Sequence, residues 1–354
     1  MEQKFIQKII FGSPGTGKSH MITSEIIPNE LNIDSEENVI KAVFHPEYTY
    51  GDFMGKLLPM TKAGNVEYNF YEGHFLRALA QSYRNLFKAY DKEKKEIANY
   101  ENVILVIDEI NRGNSSAIFG SVFQLLDRET NGWSSYETTI NGVVFFKLFE
   151  LIGFEVASTT NHGEMATIKH PILTANRPRT VDDLNEVMKD IFKFDLVNKT
   201  IKIPPNLSIV ATMNTSDSSI YHMDTAFKRR WDWEFIDIES KSIKDEQIAF
   251  SNRQEWENFV TKLNLFIKSN HGAVRGIEDK QIGKYFIKDE TISNSVIQSK
   301  LMFFIWDSVF NRDKKPLLKL LDLEDQPNQL ITFGDFAIKV KDFVQAIKGY
   351  QVNV

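Results

Sequence analysis

The chain has no cysteine among its 354 residues. That excludes disulfide scaffolds, thiolate zinc sites, iron–sulfur clusters and cysteine nucleophiles together. An excess of positive charge is also missing, since 42 Lys and Arg stand against 48 Asp and Glu for a formal charge of −6. No global positive field draws the protein to nucleic acid, so any DNA contact has to be local or supplied by another chain. Long apolar runs are lacking too. The longest, Val143 to Phe154, is broken by Lys147 and Glu150 and falls short of the roughly 18 residues a membrane helix needs. Met1 to Lys8 lacks the apolar core of a signal peptide. The expectation is a soluble, cytoplasmic protein without membrane attachment.

What is present is core-forming material. Hydrophobic residues make up 42% of the chain and aromatic residues 12%, including 27 Phe, enough for a packed fold rather than a disordered one. At roughly 100–200 residues per domain, the length allows one large domain or two ordinary ones.

The β-rich run Phe5 to Phe11 passes straight into Gly12-Ser-Pro14-Gly15-Thr16-Gly17-Lys18-Ser19 and then into a helical pattern from His20 to Ile27. A second strand is predicted at Val39 to Phe44, and a helix from about Gly73 to Lys94, with the polar run Asp91 to Glu96 as its solvated end. Val103 to Ile107 reads as a strand buried on both faces and ends at Asp108-Glu109. Asn114 is placed to cap the helix that follows. Another buried strand, Asn206 to Met213, ends at Asn214, and a short helix leads from Asp224 to Arg230. Alternating strands and helices argue for a doubly wound α/β sheet. From about residue 240 the pattern is helical alone, with stripes at Trp256 to Ile267, Val296 to Val309 and Phe336 to Ile347. Domains are therefore expected at 1–240 and 241–354.

Gly12-x-x-x-x-Gly17-Lys18-Ser19 fits the phosphate-binding Walker A pattern at every fixed position. Glycines let backbone N–H groups curl around phosphates, Lys18 can reach the β and γ oxygens, and Ser19 can ligate Mg2+. Strand-ending Asp108 and Glu109 supply the other half: one carboxylate to hold Mg2+ through its waters, and a second to orient and deprotonate an attacking water. Asn214 can contact the same water or the γ-phosphate if its strand is a neighbour; otherwise it is an ordinary turn residue. Arg229 and Arg230 can face the nucleotide of an adjacent subunit, or simply form a basic helix end. Seven histidines are scattered without metal-site spacing, and no nuclease constellation is apparent.

In order and approximate spacing, the Walker A loop, Asp108-Glu109-Ile-Asn-Arg112, Met213-Asn214-Thr-Ser-Asp217 and Phe227-Lys-Arg-Arg-Trp231 resemble the AAA+ motors of the helix-2-insert clade. Met-Asn-Thr-x-Asp is similar to the signature of the McrB family, GTP-hydrolysing motor subunits of modification-dependent, type IV restriction systems. Phe44 to Phe53 resembles that family's segment before an inserted hairpin, and Gln281 to Phe286 a segment of its helical domain.

The resemblance spans essentially the whole chain. It implies an AAA+ P-loop NTPase fold, a large α/β subdomain with a small C-terminal helical lid, assembled as a homo-oligomeric ring, hexameric in expectation. Gly12, Pro14, Gly15, Thr16, Gly17, Lys18 and Ser19 would then hold the nucleotide, GTP or alternatively ATP. Ser19 and Asp108 would hold Mg2+, Glu109 would be the catalytic base, and Asn214 the sensor of a signature closed by Asp217. Arg229 or Arg230 would be a finger acting in trans. A McrC-like nuclease subunit would cut DNA, reached through the complex. A MoxR-like, ATP-dependent remodeller of protein complexes is the alternative, and a nucleotide-gated scaffold a third reading.

Three features depart from the family pattern. The first motor strand begins at about Phe5, so no reader of modified DNA is expected ahead of it. The Gln281 to Phe286 segment is a residue shorter than usual, so Lys284 receives no sensor role. The connection from about Asp127 to Asn206 is enlarged. Within it, Tyr136 to Phe146 reads as a hairpin with a type I′ turn at Asn141-Gly142, followed by a helix capped by Thr180 and Asp183. Residues 133–200 are expected to form an insertion contacting DNA or a partner through Lys169, His170, Arg177 and Arg179; the alternative is a surface elaboration.

Overall fold

The computed structural model describes residues 5–62, 64–161, 164–214, 221, 223–237 and 245–351; Asp217 lies outside them. Five strands make the central sheet: β1 (Gln7–Gly12), β2 (Val39–Val43), β3 (Val103–Asp108), β4 (Leu207–Asn214) and β5 (Asp232–Phe235). Their order is β5-β1-β4-β3-β2. β1 runs parallel to β5, and β3 runs parallel to both β4 and β2. Val103–Ile107 and Leu207–Met213 are buried along their whole length, as strands covered on both faces must be. The expected parallel α/β sheet is present.

The chain divides into two compact units. One is formed chiefly by Ser19–Met213. Its central helix, His74–Lys88, buries Leu76, Leu79, Tyr83, Leu86 and Phe87. Thr49 caps the short helix Tyr50–Met54 in a reciprocal capping box with Asp52, and Phe53 there stacks on Phe75 at 5.1 Å. Between these two helices stands an antiparallel hairpin, Gly55–Lys62 with Asn65–Glu72, most of it exposed. This is the hairpin expected after Phe53.

Residues 133–200 pack into the core of their unit. They contain the helix Gly142–Leu151, the three strands Glu155–Thr159, Met165–Lys169 and Arg179–Thr180, and the helix Val181–Asp190. Phe149, Phe154, Phe192 and Phe194 are fully buried. Phe87 packs on Phe192 at 4.3 Å and Phe154 at 5.8 Å, while Tyr83 meets Phe194 at 5.3 Å. The insertion therefore completes the core of its unit, because the helix His74–Lys88 would otherwise leave these aromatic faces in water.

Three local expectations are corrected. Asn141-Gly142 does not make a hairpin turn: the Asn141 side chain accepts the Val143 N–H as a helix N-cap, and Thr138–Thr139 pairs instead with Thr200–Ile201. The run Val143 to Phe146 has no apolar–polar alternation to hold a strand, whereas Val144, Phe145, Leu148 and Phe149 fall on one buried helical face. Asp91 to Glu96 is not a helix end, since the helix stops at Lys88 and Tyr90–Asp91 pairs with Glu96–Ile97 around a turn held by the Asp91 carboxylate. The C-terminal part is not helical alone, because Ile248–Phe250 pairs with Ile292–Ser293.

The second unit takes Lys8–Lys18 and most of the chain from Asp224 onward. Phe11 is its hub, with the rings of Trp233, Phe235, Phe303 and Phe333 centred 4.8–5.8 Å away. Lys8 and Glu234, both largely buried, pair across β1 and β5 at 2.8 Å. The predicted stripe Trp256, Phe259, Val260, Leu263, Phe266 and Ile267 is buried along the helix Arg253–Ser269. Val340, Phe343, Val344 and Ile347 are buried on the helix Val340–Gly349. No described helix is long and apolar enough to cross a membrane.

Candidate nucleotide site

The loop after β1 is built around positions that only glycine fills. A Cβ on Gly12 would lie 2.3 Å from the Ile236 carbonyl oxygen, and Gly15 and Gly17 have φ of +80° and +81°. Thr16 is buried and its hydroxyl donates to the Ser13 carbonyl at 3.0 Å. Lys18 is only 8% exposed. Its ammonium donates to the carbonyls of Ser13 at 2.8 Å and Gly12 at 3.1 Å. The cation is thus stored inside the loop, where backbone oxygens replace the water it gave up. Pro14 and Ser19 are exposed. Lys18 and Ser19 open the helix Lys18–Met21, which continues as a π-helical segment, Ile22–Glu30.

At the end of β3, Asp108 is the last strand residue and Glu109 turns the chain. Glu109 has φ 57° and ψ 48°, a left-handed conformation unfavourable for a side chain of this type. One neighbour holds both acids. Thr212 on β4 accepts the Glu109 N–H at 3.2 Å and donates its hydroxyl to Asp108 Oδ1 at 3.0 Å. Asp108 and Glu109 are both half-buried. Thr212 belongs to no motif, although its i, i+2 relation to Asn214 puts both side chains on one face of β4. Asn214, half-buried, closes that strand.

Asp224 caps the short helix Thr225–Lys228 by accepting the Phe227 N–H at 2.7 Å. Beyond it, Arg229 is exposed, whereas the Arg230 guanidinium turns back to the Ala226 carbonyl at 2.7 Å. Lys228 is buried and paired with Asp307.

Of the basic group expected on the insertion, His170 is not a surface cation. His170 is buried, its Nδ1 accepts the N–H groups of Ile172 and Leu173, and its Nε2–H therefore donates to the Ile152 carbonyl at 3.1 Å. Burial pushes its pKa down to about 4, with Lys92 adding to the fall against the Ile152 hydrogen bond. His170 is a neutral structural residue, while Arg177 and Arg179 remain exposed.

Residues 7–162 match the AAA domain of the dynein-related subfamily. The chain is also 28% identical over 331 residues to the Type II restriction enzyme BsuMI component YdiS of Bacillus subtilis, covering 86% of this chain and 80% of that protein. It is 25% identical over 240 residues to the Type IV methyl-directed restriction enzyme EcoKMcrB subunit of Escherichia coli, covering 65% of this chain and 35% of that protein. The chain has the fold of an AAA+ P-loop protein and is similar to restriction-enzyme components that include a McrB subunit. The strand order, with β4 between β1 and β3, and the acid-ended β3 are the AAA+ P-loop arrangement expected of it. In this chain the candidate Mg2+ donors, the Ser19 hydroxyl and an Asp108 carboxylate, are all oxygen, which suits that hard cation. Among the described residues no group of three or more His, Asp or Glu could hold a metal by itself.

Proposed function

We propose that this chain is a nucleotide-hydrolysing motor subunit of a restriction system, driven by GTP, with ATP as the alternative nucleotide. The observation that carries the reading is the end of β3, where two acids leave the strand in different backbone conformations beside a single hydroxyl. Both relatives are named as restriction-enzyme components, which supplies the biological setting. We assign residues 1–240 to the motor body and 241–354 to a helical lid.

Gly12, Pro14, Gly15, Thr16 and Gly17 would wrap the phosphates, and Lys18 would exchange its loop carbonyls for β and γ oxygens. Ser19 and Asp108 would hold Mg2+, which when bound neutralises charge on the transferring phosphoryl group. Glu109 would take a proton from water as the new P–O bond forms and the bond to the bridging oxygen breaks, releasing nucleoside diphosphate and phosphate. Asn214 would orient that water, with Asp217 closing the signature. Arg229, being exposed, is better placed than Arg230 to reach a neighbouring subunit's nucleotide. The subunits would form a ring, and a separate McrC-like nuclease would cleave DNA engaged through the complex.

Turnover of GTP and ATP measured side by side, with and without the nuclease partner, tests the assignment. Lys18→Ala should abolish nucleotide binding, whereas Glu109→Gln should bind and assemble but turn over at least 100-fold more slowly, on the order of the loss typical for a general base. Near-normal turnover by Glu109→Gln removes Glu109 from that role. Preference for ATP without stimulation by a nuclease would move the reading to a MoxR-like remodeller.

A further inference from the structure

Thr212 sits opposite Asp108 across β4 and β3, one step beyond the Ala211–Ile107 pair, and is 3% exposed. Its hydroxyl is used twice, accepting from the backbone of Glu109 and donating to the carboxylate of Asp108. The donated proton commits Asp108 Oδ1 to the strand β4 side and so fixes which oxygen remains to face a cation. The accepted N–H satisfies the backbone of a residue held in left-handed geometry, where a buried unpaired donor would add to the strain. A β-branched side chain in a strand has few rotamers to leave this double contact for.

We propose that Thr212 is a positioning residue for nucleotide hydrolysis, setting the Asp108 carboxylate and the Glu109 backbone with one hydroxyl. The proposal rests on the assignment of Asp108 to Mg2+ and Glu109 to water activation. Serine keeps the donor and acceptor; valine keeps the shape and removes both.

Three measurements decide it. Thr212→Val should lower kcat about 10- to 100-fold, the loss expected when a catalytic group is misplaced by about an ångström. Binding of a fluorescent GTP analogue without Mg2+ should stay within about two-fold of the unmodified protein, because the phosphate loop is untouched. The tightening of that binding on adding Mg2+ should shrink several-fold as Asp108 loses its fixed orientation. Thr212→Ser should recover most of both losses, and if the valine protein does not fold, Thr212→Ala against Thr212→Ser gives the same contrast. A valine protein with unaltered kcat and Mg2+ response, or a folded serine protein as impaired as valine, overturns the proposal. Absence of turnover in the unmodified protein would count against hydrolysis itself; the Mg2+-dependent binding still reads the Thr212–Asp108 link, and an unchanged response in valine then refutes it.

Discussion

At the scale of single residues, the protein places polar groups where burial would be costly unless each is answered. Lys18 is answered by two loop carbonyls, and Arg128, stacked over Phe5 at 4.3 Å, by the carbonyls of Gly132, Pro204 and Leu207. His170 follows the same rule as a neutral ring between Phe87 and Phe154. Its folded pKa, about 4, lies below the ordinary value of 6.5. Above pH 6.5 the ring is neutral in both folded and unfolded states and the full stability is present. As pH falls from 6.5 toward 4 only the unfolded chain takes up the proton, so stability declines, by up to about 3 kcal/mol. Denaturant melts at pH 8, 6, 5 and 4 should show this loss. His170→Phe should be less stable at pH 8, having lost three hydrogen bonds, but should lack the slope between pH 6.5 and 4. An identical slope in both proteins would assign it to other groups.

At the scale of elements, the Asn141-Gly142 pair shows how one dipeptide serves opposite structures. In a type I′ turn both residues take positive φ; here Asn141 has φ −53° and ψ 139° and caps a helix that begins at Gly142. The two arrangements respond oppositely to substitution. Gly142→Ala should be neutral or stabilising by up to about 1 kcal/mol, because alanine has the higher helix propensity. Asn141→Ala should cost about 1 kcal/mol through loss of the cap. Urea unfolding of both variants checks this, and clear destabilisation by Gly142→Ala would restore the hairpin. The hairpin Gly55–Lys62/Asn65–Glu72 was legible from the segment before it, yet its register was not. Facing positions Leu57–Phe70 and Pro59–Tyr68 put an apolar side on two largely exposed strands, a pairing known only once both strands are in place.

At the scale of the whole molecule, the acidic balance of −6 provides no global positive field, so any contact with DNA has to be local or supplied by another chain. A ring built by a head-to-tail interface closes only if each subunit lends its neighbour a complementary surface, and Arg229 is the residue we assign to that loan. Arg229→Ala subunits and Glu109→Gln subunits should each be nearly inactive alone. Mixed, they should recover measurable turnover, since an intact arginine can serve an intact acid pair across an interface. Steady-state turnover against mixing ratio is the readout. A mixture no more active than the sum of its parts would leave no trans role for Arg229.

By itself the sequence determined several features carried by a few contiguous residues, though not the helix at Asn141-Gly142. The strand–loop–helix around Gly12 to Ser19, the acids ending β3, the buried stripe of Arg253–Ser269 and the caps at Asn114 and Thr180 are all written within a few residues, where backbone geometry leaves little freedom. Tertiary structure decided what depends on register and burial. Thr212 meets Asp108 and Glu109 from more than 100 residues away, and a shift of one residue in β4 would turn its hydroxyl to the other face. His170 reads as one more basic residue until Phe87, Phe154 and Ile152 surround it. The enlarged connection reads as an appendage until its phenylalanines are found against the helix His74–Lys88. Burial is a property of what packs on a side chain, and local sequence does not carry that information.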